Sequence, residues 1–209
     1  MEILGFVVTV VLITASGALA PGPMFFATIS YGAKSGAKSG LIFSVAHTVV
    51  EFSLIMVLAL GLLAVANETI VKLAIGVTGG VALIAFGLFQ LYKSYKNRTE
   101  EQKQDMPSHR HLFFMGAILT GLNPYFVLWW FTAGAKLIIL ALEFAALAGV
   151  IFMYICHVWM DYVWLTTIAH FAKKGINALG TKWYRALIAV FGIVLIYFGL
   201  TFIIDALLA

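Results

Sequence analysis

Two stretches decide the fold, "ALAPGPMFF" at residues 18–26 and "LTGLNPYFVLWW" at residues 119–130. Each one places proline inside a run that otherwise has the pattern of an apolar helix. Proline removes a backbone hydrogen-bond donor and clashes with the preceding helical turn. Both stretches therefore predict a helix break, and their separation of about one hundred residues predicts a duplicated architecture.

The composition indicates a membrane protein. Of the 209 residues, 63% are hydrophobic and only 11% are charged, whereas a soluble chain carries about 25% charged residues. The apolar runs are long and unbroken, which favours an integral membrane protein built from helices over a membrane β-barrel of short alternating strands. A single cysteine, Cys156, excludes an internal disulfide and a CxxC metal site.

The N-terminal stretch "MEILGFVVTVVLITASGALA" is interpreted as a first transmembrane helix. It ends like a secretory cleavage site, but it holds Glu2 and no Lys or Arg, and Pro21 would directly follow the cut. These features are not typical of a removable signal peptide.

Six apolar segments each approach the roughly 20 residues that a bilayer requires. We predict spans at about residues 3–31, 40–66, 70–92, 112–133, 144–171 and 184–208. Residues 136–143 could end the fourth span, begin the fifth or lie in the interface. The polar stretch "KSYKNRTEEQKQDMPSHRH" separates two halves. We expect a first three-helix repeat at 1–93, a cytoplasmic basic linker at 94–111 and a second three-helix repeat at 112–209.

Three features recur in the same order in the two halves. The breaks are Pro21-Gly22-Pro23 in span 1 and Asn123-Pro124 in span 4. Span 3 contains "GVALIAFGL" from Gly80, and span 6 contains "GIVLIYFGL" from Gly192. The third feature is a His–carboxylate pair with a spacing of four, found in span 2 as His47 and Glu51 and in span 5 as His157 and Asp161.

If a repeat crosses the membrane an odd number of times, its second copy lies in the membrane in the orientation opposite to that of the first copy. The expected fold is therefore all-α and integral to the membrane, with six transmembrane helices in two inverted three-helix repeats and with helices 1 and 4 broken. Many secondary transporters share this plan, and they bind substrate near the bilayer midplane between the repeats.

The distribution of basic residues predicts the orientation. Most of the 13 Lys and Arg residues lie in the loops after spans 1, 3 and 5, with Lys72 and Lys136 as exceptions. Basic loops stay in the cytoplasm, so we expect both termini outside the cell membrane. The same rule explains the net charge of +4 without nucleic acid as a partner.

The breaks are candidates for substrate binding. Irregular backbone survives in a bilayer only where protein or a water-filled cavity surrounds it. New helical N-termini near Pro23 and Pro124 would carry partial positive charge and unpaired amides, which suit a carboxylate. Gly22 and Asn123 belong to the same candidate site. The alternative interpretation is a pair of structural kinks.

The His–carboxylate pairs are candidates for charge binding and proton coupling. A spacing of four places His47 over Glu51 and His157 over Asp161 on one helix face. A carboxylate in a span is costly unless it is paired, protonated or hydrated. It could attract a substrate ammonium, and histidine changes its charge near neutral pH, which suits proton coupling. The alternative is two local contacts that serve packing only.

Other features carry weaker signals. Glycines at a spacing of four, Gly32, Gly36 and Gly40, allow two helices to pack closely. Such packing could occur within one chain or between two copies of the chain in a homodimer. We interpret Trp130, Tyr154 and Trp164 as packing residues, with the lining of a cavity as the alternative. No Walker, GxSxG or HExxH motif occurs, so we expect no enzyme and no cofactor.

The segment "APGPMFFATISYGAKSGAKSGLIFSVAHTVVEF", the "GLNPYFVLWW" stretch and the two glycine-framed stretches together resemble the lysine exporter (LysE/RhtB) family of amino-acid exporters. The resemblance implies a six-helix carrier that expels amino acids or their derivatives with the proton gradient. It implies that residues 21–23 and 123–124 form the broken-helix motif, and that His47 and Glu51 belong to the site. Acidic residues such as Glu51 and Asp161 are compatible with a cationic substrate in this family.

We therefore expect a secondary-active exporter with proton antiport and alternating access around a midplane site, whose partners are an amino acid, protons and the lipid bilayer. The alternative is a divalent metal-ion transporter, because His47/Glu51 and His157/Asp161 are plausible ligands if they converge. An intramembrane enzyme with a His–acid metal site is a third hypothesis. It gives no reason for duplicated helix breaks.

Overall fold

The computed structural model of the protein describes residues 2–20, 22–61, 69–96, 108–131 and 133–208. Within these ranges every regular element is an α-helix, as the sequence predicts. The helices are α1 (Ile3–Ala18), α2 (Pro23–Ser35), α3 (Ala37–Ala59), α4 (Thr69–Lys96), α5 (His109–Gly121), α6 (Pro124–Phe131) and α7 (Ala133–Leu208). Most of the predicted basic linker, residues 97–107, lies outside the described ranges.

The first predicted break separates α1 from α2, whose axes differ in direction by 71°. Gly22 has extended backbone and is the N-cap of α2, and Pro23 is its first residue. Proline is well tolerated at a first helical position because its missing N–H would have no intrahelical partner there. Pro21 lies outside the described residues.

The second predicted break separates α5 from α6. The amide of Asn123 donates to the Thr120 carbonyl at 3.1 Å and closes α5. The Asn123 side-chain Oδ1 then accepts the amide of Tyr125 at 3.1 Å, which is the usual role of an N-cap asparagine. One residue thus ends one helix and begins the next, and Pro124 occupies the first position of α6.

The connection between the first two predicted spans is shorter than the sequence suggests. We expected a loop with Lys34 and Lys38 between about residues 31 and 40, but both lysines are helical. Gly36 alone joins α2 to α3, with a φ of 64°. A residue with a Cβ disfavours this left-handed region, so glycine allows the turn to be made in one residue.

Helix α7 is not straight. Its 76 residues would extend about 114 Å, far more than a bilayer thickness. Gly149 lies directly against the carbonyl of Ala141, although eight residues of straight helix would separate them by about 12 Å. Ala146 has a φ of 50° between them. The chain therefore reverses around Ala146, and residues 136–143 lie before the turn, on the side of the fourth predicted span.

The two glycine-framed stretches contact each other. A Cβ atom added at Gly87 would lie 2.6 Å from the carbonyl oxygen of Gly192, and one added at Gly80 would lie 2.6 Å from that of Gly199. The pairing of 80 with 199 and of 87 with 192 shows that α4 and the end of α7 run antiparallel. Glycine is required because the two backbones meet without room for side chains.

Two stretches of the described residues are long and apolar enough to cross a membrane, Ala37–Ala59 and Tyr125–Gly175, and the bent pair α1–α2 would make a third. The second stretch includes the reversal at Ala146. Large apolar side chains such as Leu12, Ile155 and Val163 are exposed on the helix surfaces, as a lipid environment allows. The total of six spans stays a prediction.

We predict that Gly87→Ala destabilises the helix pair, because the new methyl group would meet the backbone of the facing helix. Overpacking of this kind costs about 1–3 kcal/mol. The matched control is Gly175→Ala, since no described atom lies within 4 Å of its added Cβ. Thermal unfolding in detergent, followed by tryptophan fluorescence, should show a lower midpoint for Gly87→Ala only. Equal midpoints would contradict the close contact.

Candidate functional site

A cavity of about 410 Å³ lies where the two helix breaks meet. The breaks face each other, since a Cβ atom added at Gly22 would lie 3.9 Å from Nδ2 of Asn123. Seven of the eight predicted site residues line this cavity: Gly22, Pro23, His47, Glu51, Asn123, His157 and Asp161. The eighth, Pro124, begins α6.

Glu51 lies at the centre of the polar wall and is 2% exposed. Its Oε1 accepts three hydrogen bonds, from three helices. The donors are Nε2 of His157 at 3.0 Å, Nε2 of His47 at 3.2 Å and Nε1 of Trp130 at 3.2 Å. A carboxylate removed from water needs such donors, because burying the charge without them costs several kcal/mol.

The other ring nitrogen of each histidine contacts a threonine in the opposite half of the chain. His157 Nδ1 lies 2.8 Å from Oγ1 of Thr14 in α1, and His47 Nδ1 lies 3.1 Å from Oγ1 of Thr120 in α5. Both threonines are buried and both precede a helix break. These contacts fix the orientation of each ring toward Glu51.

The predicted pairs form one cluster rather than two separate contacts. His47 and Glu51 pair as the spacing of four predicts. The His157–Asp161 distance is longer, at 3.7 Å, because His157 turns toward Glu51 instead. Spacing along one helix could not reveal this, since the preferred partner lies on α3.

One oxygen of each carboxylate remains unused. Among the described residues, Glu51 Oε2 and Asp161 Oδ2 are buried and have no hydrogen-bond partner. Asp161 is 6% exposed and lines the cavity beside His157. An unsatisfied buried acceptor costs about 1–3 kcal/mol, and more when it is charged. Each of these oxygens would therefore be stabilised by binding a proton.

Three potential metal ligands lie close together in this cluster. Ligand atoms of His47, Glu51 and Asp161 all lie within 4.8 Å of one another. However, the indole of Trp130 also points at Glu51 Oε1, and an indole N–H can only donate. The surroundings of this oxygen are those of a hydrogen-bonded carboxylate.

Aromatic rings form part of the cavity wall. The rings of Phe25 and Trp164 stack with centroids 6.1 Å apart, and Trp129 meets Trp130 edge to face at 5.1 Å. Trp130 and Trp164 were interpreted from the sequence as packing residues, but both line the cavity. Tyr154 does not, and its hydroxyl donates to the Thr48 carbonyl at 3.1 Å.

The two helix N-termini at the cavity are not equivalent. Asn123 caps α6 by accepting the amide of Tyr125. Gly22 caps α2 and has no side chain with which to accept a hydrogen bond. The first turn of α2, with Pro23, Met24 and Phe25, lines the cavity. Its positive end suits an anionic group better than the capped end of α6 does.

A family model described as LysE type translocator matches residues 15–206, a range that includes every residue lining the cavity. The chain belongs to the LysE type translocator family. This confirms the resemblance seen in the sequence.

Membership of the LysE family makes the protein a translocator rather than an enzyme and, together with its apolar helices, a multi-pass membrane protein. The family gives no support to the metal-transport alternative. No curated protein and no solved structure matches the chain.

We predict that Thr14→Val destabilises the protein by about 1–3 kcal/mol, because it removes the hydroxyl that contacts a buried ring nitrogen of His157. Thr9→Val is the matched control in the same helix, since the Thr9 hydroxyl bonds only locally, to the Gly5 carbonyl at 2.8 Å. The free energy of unfolding in detergent should fall for Thr14→Val and stay nearly constant for Thr9→Val. An equal change in both would contradict the role of Thr14.

Proposed function

We propose that the protein is a secondary-active exporter of amino acids or amino-acid derivatives, driven by proton antiport. One observation carries the proposal. Two buried carboxylate oxygens, Glu51 Oε2 and Asp161 Oδ2, have no hydrogen-bond partner among the described residues, and the two side chains that carry them line a cavity between two helix breaks. Such a cavity provides negative charge and a helix N-terminus within one small volume, as a zwitterion requires.

Proton antiport follows from the chemistry of a buried carboxylate. The group is best stabilised when it holds either a proton or a cationic ligand, and the two exclude each other. Binding of a substrate ammonium would thus displace a proton, and protonation would release the substrate. If this exchange occurs in alternation on the two sides of the membrane, the proton gradient drives export.

The hydrogen bonds of His47 indicate which protonation state this side chain has. The Thr120 hydroxyl has one hydrogen, and it donates to the Gly116 carbonyl at 2.9 Å. Nδ1 of His47 must therefore donate to the Thr120 hydroxyl oxygen. Nε2 of the same ring donates to Glu51. A doubly protonated His47 beside an ionised Glu51 satisfies all of these contacts. With this protonation, the cluster would hold a proton at the site before substrate binds.

The substrate carboxylate is assigned to the start of α2. Gly22 offers no capping side chain there, and the helix dipole favours an anion. The Asn123 side chain lies across the break from Gly22 and can add a hydrogen bond. Pro124 takes part by starting α6 at this point.

The proposed architecture is a pair of inverted three-helix repeats, residues 1–93 and 112–209, that alternate access to the cavity. Two observations support it. Each histidine contacts a threonine from the other half, and α4 packs antiparallel to the end of α7 through equivalent glycines. With the basic loops in the cytoplasm and both termini outside, the carrier would export its substrate across the cell membrane.

We predict that Glu51→Gln combined with Asp161→Asn abolishes transport driven by a pH gradient. In proteoliposomes with an acidic lumen, outward proton flow should drive uptake of labelled amino acids by the unmodified protein. The double variant removes both carboxylates that could exchange a proton for an ammonium, so accumulation should fall to the level of empty vesicles.

Glu143→Gln is the control, because Glu143 is an exposed carboxylate of the same helix that carries Asp161. It should accumulate substrate like the unmodified protein. Unchanged transport by the double variant would overturn the proposed site. Loss of transport in the control as well would show that the effect is not specific to the cavity.

A further inference from the structure

We infer that the substrate is a zwitterionic amino acid with a bulky apolar side chain, and that its ammonium group binds Asp161. This inference rests on the proposed function and narrows it. It assigns Asp161 to the substrate amine, and it assigns the aromatic part of the cavity to the substrate side chain.

Asp161 rather than Glu51 is the free carboxylate. Oε1 of Glu51 is occupied by three donors, and His47 lies against it as a matched cation. The cation nearest to Asp161 Oδ2 would be His157, whose Nε2 is 3.7 Å away but bonds Glu51 at 3.0 Å. Both imidazoles lie near Asp161, but among the described residues no group donates a hydrogen bond to its Oδ2. A substrate ammonium would supply the donor that this carboxylate lacks.

The space beside Asp161 is apolar. Trp164 and Leu165 follow it by one helical turn on α7, and both line the cavity. Across from them the first turn of α2 contributes Met24 and Phe25, with the Phe25 ring stacked on Trp164. A substrate with its amine on Asp161 would therefore place its side chain between aromatic and aliphatic walls.

The volume favours a single amino acid. The cavity of about 410 Å³ lies toward the lower end of the roughly 300–1,000 Å³ of small-molecule sites. A small polar amino acid would leave the aromatic walls without contacts.

The charges argue against a basic amino acid. Its second cation would need a second free carboxylate, and the acidic residues that line the cavity are Glu51 and Asp161. Glu51 is already matched by His47. The extra ammonium would lie against Trp164 and Phe25, where cation–π attraction repays only part of its lost hydration.

The first experiment ranks substrates on the unmodified protein in proteoliposomes. Counterflow of labelled phenylalanine is measured against unlabelled phenylalanine, leucine, lysine and threonine. Phenylalanine and leucine should compete best, and lysine and threonine should be weaker by at least about tenfold, since each lost apolar group in such a pocket changes discrimination by roughly 10- to 200-fold. Phenylethylamine, which keeps the amine, should compete better than 3-phenylpropionate, which lacks it.

The second experiment tests the residues. Asp161→Asn should raise the KM for phenylalanine at least about tenfold, because a charge-assisted bond to the ammonium is lost. Trp164→Ala should raise the KM for phenylalanine but not that for alanine. Trp159→Ala is the control, since Trp159 is 47% exposed on the same helix and does not line the cavity. It should change neither value.

The outcomes separate the two proposals. Proton-driven transport that prefers lysine or threonine would overturn the inference and leave the exporter function standing. An unchanged KM for phenylalanine in Asp161→Asn would overturn the assignment of the amine. If the pH gradient drives no amino acid of any class, the exporter function fails together with the inference. The competitor series needs no variant, so it decides the substrate class even if a variant does not fold.

Discussion

The structure depends on one carboxylate oxygen, Oε1 of Glu51, and on the three N–H groups that converge on it from α3, α6 and α7. In an apolar environment an ionised carboxylate is tolerated only while its donors remain in place. These three helices therefore cannot separate locally without exposing a charge to hydrocarbon. The network extends through His157 to Thr14 and through His47 to Thr120, so it also includes the helices that precede both breaks.

The two helix breaks lie beside this hydrogen-bond network. Backbone that leaves the helical path inside a bilayer must be surrounded by protein or by a cavity. Here the breaks at Gly22 and Asn123 face each other across the cavity that the polar cluster lines. Their ends differ, because Asn123 satisfies the first turn of α6 while Gly22 cannot satisfy that of α2. A feature duplicated in the sequence thus becomes two different chemical groups in the site.

The sequence predicts the helix breaks and the pairs with a spacing of four, but it does not predict the contacts between residues far apart in the chain. Proline and glycine act on their own backbone, so the breaks at Pro23 and Pro124 could be predicted. A spacing of four places two side chains on one face, so the pairs could be predicted as well. The threonine partners could not, because Thr14 and Thr120 are unremarkable within apolar helices, and only tertiary packing brings them to the histidines. A connection between the fourth and fifth spans was predicted before residue 144, but its position at Ala146 was missed, since alanine gives no sign of a turn.

The two His–carboxylate pairs of the sequence do not form two equal halves of the site. His47 and His157 each contact a threonine from the opposite half of the chain. Both of them turn toward Glu51, however, whereas the nearest imidazole nitrogen to Oδ2 of Asp161, Nε2 of His157, lies 3.7 Å away. Among the described residues, no group donates a hydrogen bond to this oxygen. A single carboxylate can accept both imidazoles, and two charges side by side would repel each other unless one of them is compensated. Concentrating the donors on Glu51 fixes the helices around one satisfied charge and leaves the other free. In the proposed function, a cation bound beside Asp161 would return part of the free energy that burial of this carboxylate costs, so the unequal use of the two carboxylates would contribute to substrate affinity.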